Sequence, residues 1–157
     1  MLPAPARVVI EQVTSEPYLL YRYKEPNQLD FSLDVLRDDD DHHEVRIVRV
    51  YSTEQVPRMA RKLLGQQLEL VQTQRWSRTG PAFDGGLRME VSGVPGFIDG
   101  QMSLADHDDQ QSRMQAQGNV KVKVPIIGGQ IEKLLLDRAE EGFSKSMGSI
   151  AEWLQKV

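Results

Sequence analysis

From Met114 to Val124 the apolar or small residues Met114, Ala116, Gly118, Val120, Val122 and Val124 fall at every second position, with Gln115, Gln117, Asn119, Lys121 and Lys123 between them. A period of two predicts a strand with one dry and one wet face. Pro125 cannot donate to a ladder, and the pair Gly128-Gly129 permits a sharp change of direction, so the strand should end there. From Gln130 the period changes. Ile131, Leu134, Leu135, Ala139, Phe143, Met147, Ile150, Trp153 and Leu154 recur at intervals of three and four, which predicts one amphipathic helix over 130–156. Such a helix spans roughly 40 Å, enough to cross a whole sheet.

The same reading covers the rest of the chain. Pro3 and Pro5 precede Ala6 to Thr14, a short helix for which the β-branched run Val8-Val9-Ile10 makes a strand the competitor. Tyr18 to Tyr23 reads as a second short helix. Leu29, Phe31, Leu33 and Val35 alternate with acidic and hydroxyl residues, Asp38 to His43 forms a hairpin tip, and Glu44 to Ser52 returns. A basic helix occupies Val56 to Gly65, with Pro57 suited to its start. Strands follow over Gln67 to Ser77, Leu87 to Val91 and Ile98 to Leu104. Turns through Gly80-Pro81, Asp84-Gly85-Gly86 and Gly93 to Gly96 separate them, and a polar tip follows at Asp106 to Asp109. The expectation is an α+β domain spanning 1–157, with a sheet of about six antiparallel strands, two or three short helices and the terminal helix.

Composition narrows the class. With 157 residues, no cysteine and a net charge of −4 from 19 basic and 23 acidic residues, one domain without disulfides is expected. A general nucleic-acid partner is not, because phosphate neutralisation needs a basic face. No apolar run approaches the length of a membrane span, and the first seven residues lack the order of a signal peptide, so a soluble cytoplasmic chain is expected.

The order of elements resembles the START-like superfamily, whose helix-grip fold wraps a curved antiparallel sheet around a long C-terminal helix and which includes polyketide cyclases and birch-pollen-type allergens. The chain is more closely similar to an actinobacterial family of uncharacterised START-like proteins. The residues that carry the resemblance are Val56-Pro57 through Leu64-Gly65, Leu68 to Trp76, Val94-Pro95-Gly96 with Gly100 and Leu104, Val124 to Gly129, Ile131-Glu132-Lys133 and Trp153-Leu154. The resemblance implies an opening strand before the first two helices. Here Pro17 to Leu20 matches the second helix and leaves only the segment 1–16 upstream, so that strand is expected to be missing and one sheet edge unpaired. Fold alone assigns no activity.

Strand parity proposes an interior. Leu29, Phe31, Leu33, Val35, Leu68, Leu70, Trp76, Leu87, Met89, Val91, Ile98, Met102 and Leu104 should face the helix. Gln72 and Gln74 share that parity, and either turn to a wet flank through twist or a bulge, or place polar contacts in a ligand cavity. A cavity between sheet and helix would be lined by Phe31, Leu33, Leu70, Gln72, Gln74, Trp76, Met89, Val91 and Met102 from the strands. Phe143, Met147, Ile150 and Trp153 would close it from the helix. Its entrance would lie at Met59, Leu63 and Pro95, with Arg58, Arg61 and Lys62 attracting an anionic head group or a transient contact with a membrane surface. One of Arg46 and Arg49 points inward, depending on register, and a buried Arg suits a carboxylate ligand.

Catalytic chemistry finds little to stand on. His42, His43 and His107 all lie in the acidic tips, and no nucleophile with its base, phosphate loop or paired inward carboxylates can be assembled. The tips read as solvated turns rather than metal sites, and no cofactor is called for. The function expected is therefore binding of a hydrophobic or amphipathic, lipid-like small molecule. The rivals are a cyclase- or dehydratase-like enzyme and a ligand-free module that forms a homodimer through the unpaired sheet edge.

Overall fold

A computed structural model of the chain describes residues 1–54, 56–122 and 128–157. Two short helices, α1 (Ala6–Val13) and α2 (Glu16–Tyr23), precede strands β1 (Asp30–Asp38) and β2 (His42–Ser52). Helix α3 (Arg58–Leu64) leads into β3 (Gln67–Thr79), β4 (Ala82–Val91), β5 (Gly96–Asp106) and β6 (Ser112–Val122), and α4 (Gly128–Lys156) closes the chain. The six strands form one antiparallel sheet in sequence order, and α4 lies over it, which makes this a helix-grip α+β fold.

Helix wins over strand at α1 because Ala6, Val9, Ile10 and Val13 fall on one helical stripe and are all buried, with Pro5 preset at the N-cap. Val8 lies off that stripe and is exposed. Since Pro5 offers no side-chain cap, the α1 N-terminus is satisfied from across the molecule, where Asp106 Oδ1 accepts from the Ala6 N–H at 2.6 Å. Helix α2 follows at once, capped by Ser15, whose Oγ accepts from the Tyr18 N–H at 3.4 Å.

Upstream of α1 the described residues form no strand, only a single bridge. Leu2 and Ser112 exchange both backbone hydrogen bonds, at 2.8 and 3.1 Å, and Leu2 is almost completely buried. Beyond that bridge the outer edge of β6 has no partner strand among the described residues. The opposite edge, β1, leaves Leu29, Val35 and Leu36 more than half exposed. Leu29 and Val35 therefore correct the expected interior: parity aims them inward, but an edge strand has too little above it to cover them.

The turn expected at Asp84-Gly85-Gly86 is also corrected. The reversal is confined to Gly80-Pro81, with Thr79 paired to Ala82, and β4 runs straight through Gly85 opposite Trp76. A Cβ at Gly85 would stand 2.9 Å from the Trp76 ring, so the glycine makes room for an aromatic side chain rather than for a bend. Gly96, at φ 138°, serves closeness of a different kind, since a Cβ there would meet the Lys121 carbonyl of β6. The bend expected at Pro125 to Ile127 lies outside the described residues, and α4 begins two residues earlier than the expected Gln130.

The core is lopsided. Val9, Ile10, Tyr18, Leu19, Ile47, Trp76, Phe83, Leu104 and Ile150 form a dry cluster under α1, α2 and the second half of α4, at the end of the sheet that carries the acidic tips. Toward the other end, Leu68, Leu70, Leu87, Met89 and Val91 remain only half-buried.

Candidate functional site

Between the dry end and the half-covered end runs a belt of buried polar side chains. The registers Ile47 to Gln72 and Val45 to Gln74 place both glutamines on the concave face. Neither turns to a wet flank. Arg49 shares the parity of Val45 and Ile47, both buried, whereas Arg46 is exposed on the opposite face. Counting from Ile47 therefore settles which arginine points inward.

Arg49 Nη2 donates to Gln72 Oε1 at 2.6 Å, and Gln74 Nε2 donates to the Tyr23 hydroxyl at 2.6 Å. The Tyr23 ring lies under two guanidiniums, with Arg49 Cζ at 5.1 Å and Arg22 Cζ at 4.7 Å from its centroid. Arg22 uses its donors on α4, giving Nε to Ser146 Oγ at 2.9 Å and Nη2 to the Gly142 carbonyl at 3.0 Å. It thereby clamps α2 to the helix above. Gln28 joins the belt from the loop before β1, donating to the Tyr23 carbonyl at 2.6 Å and to the Tyr51 hydroxyl at 3.2 Å.

The charge balance of this belt is unusual. Arg22 is 8% exposed and Arg49 is 9% exposed, yet the ion pairs among the described residues are formed by other side chains. Arg49 Nε is buried with no hydrogen-bond partner. A guanidinium keeps its charge in a protein, and a buried charge without a counter-ion is costly. The Tyr23 ring offsets part of that cost.

The belt borders an apolar cleft. Leu70, Met89, Val91, Val94, Phe97 and Ile98 line it, with Val122 and Leu135 closing the side toward α4. Leu70 is the cross-strand partner of Arg49, and Met89 that of Gln72, so each polar side chain stands one strand from a lining residue. The free volume is about 20 Å³, room for roughly one water.

Of the residues expected to line a cavity, the structure brings Leu70, Met89 and Val91 to this cleft, with Gln72 and Gln74 beside it in the belt. Trp76 and Ile150 are buried in the dry cluster, and Phe31, Leu33, Met102 and Met147 pack against it. Phe143 is half-buried on α4, one residue after the Gly142 carbonyl that Arg22 holds. Trp153 packs against the edge of the dry cluster. Its ring sits at 5.9 Å from Tyr18 and 5.1 Å from Tyr21, and its Nε1 donates to Gln12 Oε1 at 2.9 Å, because α4 packs against α1 and α2 as well as against the sheet.

At the expected entrance, Val94 and Gly96 line the cleft, whereas Pro95 between them does not. Arg58, Arg61 and Lys62 are exposed on α3, and the side chains of Met59 and Leu63 lie outside the described residues. Helix α3 is held at its base, where Thr53 N–H donates to the Gln66 carbonyl and the Thr53 hydroxyl to the Gly65 carbonyl. Tyr23, Arg22, Gln28 and Tyr51 had no signal in the sequence, because their roles depend on how α2 docks.

The acidic tips have structural roles. Asp39 accepts from the backbone N–H groups of Asp41 and His42 and from Arg37 Nε. The Arg37 hydrogen bond, helped by those N–H groups, holds the Asp39 carboxyl well below the usual carboxylate range. Asp38 takes up His43 at 2.7 Å. Among the described residues no group of three or more His, Asp or Glu is arranged to hold a metal ion, and no helix is long and apolar enough to cross a membrane.

No curated protein matches the chain. Residues 1–154, which include both halves of the belt and the whole cleft, match the family described as Protein of unknown function (DUF2505), and the chain belongs to that family.

Proposed function

We propose that this chain binds a hydrophobic or amphipathic, lipid-like small molecule on the concave face, beneath the first half of α4. The observation that carries this reading is the strip of half-buried apolar side chains at Leu68, Leu70, Leu87, Met89 and Val91, bordered by the Arg49–Gln72 belt. Apolar walls with a few placed polar groups are the usual make-up of a small-molecule site. The other half of the same face is dry, so incomplete cover is local.

The cleft of about 20 Å³ does not hold such a molecule as it stands. Entry requires α3 or the first half of α4 to swing outward. Helix α4 packs on the sheet chiefly along β6, and α3 is tied at its base, so either can move without breaking the ladder. Exposed Arg58, Arg61 and Lys62 on α3 would then attract an anionic head group or an anionic membrane surface. Reversing all three charges should slow uptake from anionic vesicles, and unchanged uptake would remove that role.

The helix-grip arrangement, the two short helices before the sheet and the Val94-Pro95-Gly96 turn support placing the family within the START-like superfamily. The enzymatic alternative, resembling polyketide cyclases, needs an inward acid or base, for which the described inward positions of β2 to β5 bordering the cleft offer a tyrosine, Tyr51, beside Arg49, Gln72 and Gln74, and no carboxylate. Homodimerisation has one observation in its favour, the exposed Leu29, Val35 and Leu36 at the β1 edge. Native mass spectrometry of freshly purified protein, followed by solvent extraction, tests both readings. A reproducible extra mass that is lost on extraction is expected; a clean apo mass with a persistent dimer would favour the edge.

A further inference from the structure

We infer that the ligand carries a carboxylate and that Arg49, steadied by Gln72, is its head-group site. This rests on the apolar-ligand reading above and specifies which molecules that site takes. A guanidinium offers five N–H donors. Gln72 takes one from Arg49, while Nε–H, buried beside it, has no acceptor among the described residues. Among the described residues the charge itself has no acidic partner, and Gln72 and Tyr23 solvate it without neutralising it. A planar anion that accepts two donors at once is what such a group lacks, and a carboxylate supplies it.

The position of Arg49 fixes how the molecule lies. Its cross-strand partner Leu70 opens the apolar wall, which continues through Met89 on β4 to Ile98 on β5. From β2 to β5 is three strand spacings, about 14 Å. That suits an acyl chain of medium length lying across the strands, its head at the belt and its tail toward Val94 and Phe97. Arg22 is no rival for the head group, because its Nε and Nη2 are turned to Ser146 and Gly142 of α4, whereas Arg49 Nε has no acceptor among the described residues.

Three probes of one chain length separate the contributions: decanoic acid, decanol and decylamine, titrated calorimetrically at neutral pH. Decanoic acid is expected to bind roughly ten- to a hundred-fold more tightly than decanol, the range of a charge-assisted hydrogen bond, with decylamine weakest. Gln72→Glu gives Arg49 an internal carboxylate at the same length as the glutamine and should erase the preference for the acid while decanol still binds. Arg49→Met should do the same, and Arg46→Met, on the opposite face, should not. Equal binding of acid and alcohol to the unmodified chain, or an acid preference that survives Gln72→Glu, would overturn the head-group assignment and leave the apolar site standing. Failure of all three probes to bind would overturn the apolar-ligand reading itself, and this inference with it.

Discussion

Arg49 Nη2 lies 2.6 Å from Gln72 Oε1, across two neighbouring strands, and both side chains are buried. The pair differs from an ordinary ion pair because only one partner is charged. Removing the neutral partner leaves the charged one without its acceptor, and that asymmetry makes the pair sensitive to substitution.

Gln72→Leu is expected to destabilise the fold by about 1–3 kcal/mol, because the guanidinium loses its acceptor and remains buried. Gln72→Glu should retain at least the wild-type stability, since the new carboxylate meets an existing cation. The double change of Gln72 to Leu and Arg49 to Met should recover most of what the first single change lost, because neither polar group is then left alone. Urea unfolding of the four proteins measures all three statements.

Gly85 and Gly148 make opposite demands on the same substitution. At Gly85 a Cβ meets the Trp76 ring at 2.9 Å, so Gly85→Ala should cost about 1–3 kcal/mol through overpacking. At Gly148, within α4, nothing stands within 4 Å of the added carbon, and Gly148→Ala should stabilise by roughly 0.5–1 kcal/mol through helix propensity. Thermal melts moving in opposite directions are the expected result.

Asp106 shows how an acidic tip can serve the fold. Its Oδ1 is the acceptor for the first N–H of α1, a role that Pro5, lacking a side-chain acceptor, cannot fill. Asp106→Ala should lose about 1 kcal/mol, as at other helix caps, and Asp106→Asn less, because an amide oxygen still accepts. Hydrogen exchange at Ala6 should quicken in the alanine variant.

Much of this fold was legible because periodicity is local. The alternation in β6 and the three-four spacing in α4 declare themselves within a dozen residues, and both elements appear where the pattern puts them. The Gln72 and Gln74 parity likewise carried the belt's β3 members in plain view. What escaped depends on long-range docking. Tyr23 enters the belt only because α2 folds back over β2 and β3, and Trp153, with the right helical spacing for the core, meets that core through Tyr18 on α2 and donates to Gln12 on α1. Periodicity shows that a face is buried but does not say against what. Gly85 suggests a turn for a related reason, since a glycine serving a ring on the next strand looks in sequence like a glycine serving a bend.

Tyr18 offers a test of that docking through pH. Burial pushes its hydroxyl well above the ordinary phenol range, with Tyr23 acting in the same direction and Arg22 opposing. Only 3% of the residue is exposed, beneath the edge-on ring of Trp153. A folded-state value above the unfolded one means that folding favours the neutral phenol. The associated stability is fully present below the unfolded value of about 10 and is lost as pH rises through the folded value. The melting temperature should therefore fall from about pH 10 upward. Tyr18→Phe removes the ionisable group while keeping the ring, so its melting temperature should decline less steeply over that range. Equal alkaline slopes in the two proteins would mean that the Tyr18 hydroxyl reaches water in the folded state, and that α2 sits less closely under α4 than the Arg22 clamp requires.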